Sequence, residues 1–170
     1  MQKITPFLWF DKNAEEAMNF YVSIFKGNPA KKSESKIESI IRYPSDMQVG
    51  PDPGMAGKVL TAVFVLEGQR FMALDGGPIF KPTSAMSLYV ECQNQEEVDY
   101  FWEKLSEGGD PKAQECGWLM DKFGFSWQVI PSDMGKYLGG PDRARANKAT
   151  AAMLKMKKII IADLEKAYNS

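Results

Sequence analysis

The chain carries an internal repeat, and that repeat constrains its fold more than any other feature. Asn13, Glu15-Glu16, Phe20-Tyr21 and Gly27 recur 81 positions later as Asn94, Glu96-Glu97, Phe101-Trp102 and Gly108. Each copy joins a run of β-favouring residues, ITPFLWF at 4–10 and AMSLYVEC at 85–92, to a segment with helical spacing of apolar residues. In the first copy those residues are Ala14, Ala17, Met18, Tyr21, Ile24 and Phe25. Asn13 and Asn94 are read as N-caps, the glutamate pairs sit where the helix dipole favours negative charge, and Gly27 and Gly108 end the helices. Agreement across a whole strand–helix unit marks a duplication.

The rest of each half is strand-like: IESIIRY, KVLTAVFVLEG and QRFMALDGG in the first, WLMDKF and FSWQVIP in the second. Both halves therefore read βαβββ. Gly68 in VLEGQRFM signals a hairpin, and PSDMQVGPDPGMAG at 44–57 reads as a mobile loop over the surface or a site mouth. After Pro131 a tail begins. Pro141 starts a helix through ARANKATAAMLKMKK, IIIA is a brief β-like run, and ADLEKAY is a last helical turn or two; its alanines and methionines read as packing. The expected architecture is α+β: a first module at 1–80, a second at 81–132 and a C-terminal helical tail at 133–170, one structural domain overall.

The chain has no histidine among its 170 residues, which removes the commonest general base near neutral pH and the commonest metal ligand. Its two cysteines, Cys92 and Cys116, match no close-spaced redox pair and read as core fillers of a reduced, cytoplasmic protein. With 21 basic against 22 acidic residues, no basic footprint points to nucleic acid or an anionic membrane. Neither a signal peptide nor a membrane span is read from the sequence.

TPFLWFDKNAEEAMNFYVSIF, FMALDGG, SLYVECQNQEEVDYFWEKLSEGG, GWLMDKFGFSWQVIP and the late MLKMKKIIIADLEKAY together resemble the PhnB-like branch of the vicinal oxygen chelate, or glyoxalase/bleomycin-resistance, superfamily. The resemblance implies two modules whose curved mixed sheets surround a cleft, commonly in a homodimer, with a divalent metal held from the first and last strand of each module. Those ligand positions fall on Thr5, Met72, Ser87 and Gln128. Two hydroxyls, a thioether and an amide offset the desolvation of a dication poorly, so a metal is disfavoured and no cofactor is expected. This branch often carries a demethylubiquinone methyltransferase label, yet the glycine-rich strand-to-helix turn of a doubly wound nucleoside-binding fold is missing. The glycine pairs in DGGP (75–78) and LGGP (138–141) read as turns.

Strand alternation assigns faces. With Leu8, Phe10, Leu88 and Val90 against the helices, Thr5, Phe7, Trp9, Ser87, Tyr89 and Glu91 face the cleft. Gln128 then faces inward as well, which puts Trp127 on the core side. Two carboxylates qualify as candidate bases: Asp75, whose alternative is a turn cap, and Glu91, the candidate catalytic residue. The resulting expectation is a metal-free small-molecule binding protein with a cleft of Thr5, Phe7, Trp9, Met72, Ser87, Tyr89, Glu91 and Gln128. The alternatives are an enzyme on the same cleft and an interaction protein whose cleft is filled.

Overall fold

The computed structural model describes residues 3–46 and 53–170. The chain divides into two compact units, Met1–Pro82 and Thr83–Ser170. Residues 47–52 of the proline- and glycine-rich loop lie outside the described residues.

The first unit runs β1 (Phe7–Phe10), α1 (Ala14–Gly27), β2 (Lys36–Arg42), a 3-10 turn at Pro53–Met55, β3 (Val59–Leu66) and β4 (Gln69–Asp75). These strands form a sheet in the order β1-β4-β3-β2, with β1 parallel to β4 and the other pairs antiparallel. Leu8, Phe10, Ala62, Phe64, Phe71 and Ala73 alternate onto one face and are buried, as are Ala17, Met18, Tyr21 and Phe25 on the apolar stripe of α1. Helix and sheet thereby share one core. The β3–β4 hairpin turns on Glu67 (φ 44°) and Gly68 (φ 82°). Two successive left-handed residues match the twist of the flanking strands, hence the glycine.

The start of α1 departs from expectation. Asn13 makes no side-chain cap. The Asp75 carboxylate, arriving from the end of β4, accepts from the Ala14 amide at 2.8 Å instead.

The second unit comprises β5 (Ser87–Cys92), α2 (Gln95–Ser106), a 3-10 turn at Pro111–Ala113, β6 (Trp118–Met120), β7 (Ser126–Pro131), α3 (Met134–Leu138), α4 (Arg143–Met153) and α5 (Ile161–Asn169). Its sheet has the order β5-β7-β6, with β5 parallel and β6 antiparallel to β7. The mixed α+β class is as expected, but this sheet has three strands where a βαβββ reading requires four. No strand lies between α2 and β6 because residues 107–117 turn too often. Gly108 (φ 72°) and Gly117 (φ 84°) take left-handed backbone, and Gly109 passes so close to the Met120 carbonyl that a Cβ has no room.

At α2, in contrast, the side chain of Asn94 accepts from the Glu97 amide at 3.0 Å, and the Glu97 carboxylate accepts from the Gln93 amide at 2.6 Å. The two bonds brace the first turn of α2 from both sides, with the glutamate reaching one residue past the cap itself. The tail packs onto the end of β7: Ile130, Tyr137, Ala149, Ile159 and Leu164 form one buried cluster, flanked by Met134, Leu138, Met153 and Met156. Asp142, one residue after Pro141, caps α4 by accepting from the amides of Ala144 and Arg145. The expected β-like run at IIIA is not a strand, since α5 starts at Ile161. A side chain replaces a partner strand there: the Gln95 amide donates to the Ile159 carbonyl at 3.1 Å and accepts from the Ile161 amide at 2.8 Å. Among the described residues no helix is long and apolar enough to cross a membrane.

Candidate functional site

In the first unit the sheet face away from α1 carries Phe7, 47% exposed, with Trp9 and Met72 half-buried beside it and Phe7 in register with Met72. Thr5 is half-buried just before β1. The indole of Trp9 is held from three directions: its Nε1 donates to the Gly77 carbonyl at 2.9 Å, Phe80 meets its ring edge-on at 4.9 Å, and Gly76 leaves it the space a Cβ would fill. The DGGP turn is thus the seat of Trp9.

Asp75, a candidate base in the sequence, is 1% exposed. Its two oxygens accept from the Ala14 amide at 2.8 Å and the Val59 amide at 2.9 Å. The carboxylate joins the helix start to the start of β3, and its burial keeps it from a substrate.

In the second unit, Tyr89 is in register with Gln128, and Gln128 with Trp118. Ser87, Tyr89, Glu91, Gln128 and Trp118 therefore share the face away from α2. Gln128 Nε2 donates to Ser87 Oγ at 2.7 Å. Tyr89 is 56% exposed; partial burial and then the Glu91 charge raise its phenol above the ordinary value. Glu91 is exposed, and its carboxylate makes no hydrogen bond or ion pair among the described residues. Trp127 is buried on the opposite face, its Nε1 donating to Asp121 Oδ2 at 2.7 Å. The structure thus brings Phe7, Trp9 and Met72 onto one face of the first sheet, and Ser87, Tyr89, Glu91 and Gln128 onto one face of the second.

The strand parity also reaches residues the sequence reading passed over. Trp118 and Met120 of β6, with Ser126 of β7, line a pocket of about 540 Å³ together with Lys112, Cys116 and Leu154. The alternation in WLM marks the two aromatic and thioether side chains, but the far wall comes from the tail and needed the tertiary structure. Cys116 is half-buried, its thiol raised by burial and the neighbouring Glu115 charge. Cys92 is fully buried, and burial together with the charges of Glu97 and Glu91 pushes its thiol up to about 12, which leaves it inert at neutral pH.

The residues at the implied metal positions do not fit a dication. Within the second unit Ser87 and Gln128 bond to each other, while Thr5 and Met72 offer a hydroxyl and a thioether. Among the described residues no group of three or more cysteine, aspartate or glutamate side chains is placed to hold a metal ion. A nucleoside methyl donor is equally ill served. Both sheets mix parallel and antiparallel pairs instead of winding parallel strands with helices, and the glycine pairs are taken: Gly76 lies under Trp9 and Gly140 under Tyr168.

Two mixed sheets, each with a helix on one face and an aromatic-bearing open face on the other, define the class of protein. The chain belongs to the family described as 3-demethylubiquinone-9 3-methyltransferase, whose model matches residues 2–130. It is similar to the putative 3-demethylubiquinone-9 3-methyltransferase, PhnB protein, from Bacillus cereus: 42% identical, covering 77% of this chain and 100% of that one, with a TM-score of 0.61. Protein PA1353 from Pseudomonas aeruginosa shares the fold at 22% identity and a TM-score of 0.58, over 77% of this chain and 98% of that one. Among curated proteins none matches the chain.

Proposed function

We propose that this protein binds a small, flat or apolar molecule without a metal, using the open, aromatic-bearing faces of its sheets. One observation carries the reading: Gln128 donates to Ser87 at 2.7 Å, so two of the positions that resemblance assigns to a metal satisfy each other as neutral groups. Each sheet face also carries the means of binding an organic molecule: the exposed ring of Phe7 and the braced indole of Trp9 in the first unit, and the exposed ring of Tyr89 in the second. Thr5, Met72, Ser87 and Gln128 are hydrogen-bonding and packing residues in this reading, and Glu91 is a wall residue. Exposed apolar sheet faces also support a homodimer, and two free thiols support a cytoplasmic setting.

Native mass spectrometry with elemental analysis of dialysed protein tests the reading. Substoichiometric or absent zinc, iron, nickel and manganese is the expected result, and near-stoichiometric metal overturns it. A retained small molecule is to lose affinity by roughly 1–3 kcal/mol in Trp9→Ala, the scale of a lost well-packed ring. Glu91→Gln is to alter affinity modestly; loss of a turnover by that substitution makes the protein an enzyme instead. Sedimentation as a 19.1 kDa monomer at micromolar concentration contradicts the dimer.

A further inference from the structure

We propose that the second unit holds a ligand pocket of its own, walled by the C-terminal segment, that takes a small organic anion with an aromatic body. The cavity lined by Trp118, Met120, Ser126, Lys112, Cys116 and Leu154 measures about 540 Å³, within the ~300–1,000 Å³ usual for small-molecule sites. All of its lining belongs to one unit. It shares no residue with the set Ser87, Tyr89, Glu91 and Gln128, but Trp118 stands on the same sheet face as they do, so the inference rests on the open-face reading and narrows it to one end of the second sheet.

One wall of the pocket lies outside the family match. That match ends at residue 130, whereas Leu154, 60% exposed at the end of α4, supplies the far wall. Two backbone hydrogen bonds tie the same segment to the near wall: the Cys116 amide donates to the Met156 carbonyl at 2.8 Å and the Gly117 amide to the Lys157 carbonyl at 2.7 Å. They hold Cys116 at φ 50°, a left-handed conformation that a side-chain-bearing residue adopts only when its surroundings impose it.

Charge selects the ligand. The Lys112 ammonium has no hydrogen bond or ion pair among the described residues, and Lys157 reaches the Pro111 carbonyl at 3.4 Å, next to Lys112 in the chain. The lining itself holds one ammonium, Lys112, and one carboxylate, Glu115, and Lys157 adds a second cation beside Lys112 from outside the lining. An aromatic body gains contact with Trp118, Met120 and Leu154, while an anionic end gains Lys112.

The probe 8-anilinonaphthalene-1-sulfonate, a fused aromatic with a sulfonate, tests this on the full chain. Saturable single-site binding is expected. Leu154→Trp, which fills the cavity, and Lys112→Glu, which reverses its charge, are each to weaken binding by roughly threefold to tenfold, and the Lys112→Glu effect is to shrink as salt rises. In the unsubstituted protein, bound probe is to protect Cys116 from iodoacetamide, read from the mass of its peptide. Absence of saturable binding, unchanged affinity in both variants, or alkylation of Cys116 at an undiminished rate overturns the proposal. So does loss of probe binding in Tyr89→Ala with both pocket variants intact, a result that leaves the open-face reading standing.

Discussion

Asp75 and Cys92 are both buried and both ionisable, and their surroundings lead to opposite outcomes. Asp75 accepts from two backbone amides, 61 and 16 positions away in the chain, and so joins distant segments. Cys92 has only a 3.8 Å contact to the Val90 carbonyl, and burial with the nearby glutamates holds its thiol near 12 against an ordinary 9.0. The sign follows from linkage: with the folded value raised, the neutral thiol favours the fold. Stability from this group is complete below about pH 9 and is lost as pH rises toward 12, at about 1.4 kcal/mol per pH unit. Denaturant midpoints measured between about pH 8 and 10.5 should fall less steeply in Cys92→Ala than in the unsubstituted protein, and equal slopes contradict this assignment. The face of each strand residue was legible in the sequence, because Leu8 and Phe10 against Phe7 and Trp9 is a local alternation. The role of Asp75 was not, because both of its partners come from distant segments.

The two repeated helices begin with the same residues and are capped by different means. α2 is capped by the Asn94 side chain, with Glu97 reaching back to the Gln93 amide, whereas α1 leaves the Asn13 side chain idle and relies on Asp75. Asn94→Ala should therefore cost about 1 kcal/mol of stability, the usual value for an N-cap. Asn13→Ala should cost close to nothing, and Asp75→Asn about 1–3 kcal/mol because an amide nitrogen would then face a backbone N–H. Urea unfolding of the three variants checks the order; an Asn13→Ala cost equal to that of Asn94→Ala contradicts it. Helical stripes and most strands could be read from periodicity, since each is written within its own segment. The missing fourth strand of the second sheet could not, because it depends on Gly109 lying against the Met120 carbonyl, a contact that no local pattern encodes.

At the scale of the whole molecule, long motifs were enough to identify the family, and the tail was the part least legible. Its helices follow from caps and spacing, but its place in the second unit rests on Ile130 and Ile159 sharing a core with Tyr137, Ala149 and Leu164. The run IIIA carries a strand's composition, and only the Gln95 side chain, 64 and 66 positions away, makes it the entry to a helix instead. A terminal helix of nine residues would ordinarily fray, its first amides trading protons with water many times before the rest of the protein opens. Here the Ile161 amide is bonded to a side chain rooted in α2, so its deuterium uptake should keep the slow pace of Val98 in that helix. Gln95→Ala should quicken exchange at Ile161 and leave Val98 as it was, and fast exchange at Ile161 in the unsubstituted chain would show that the clasp does not hold.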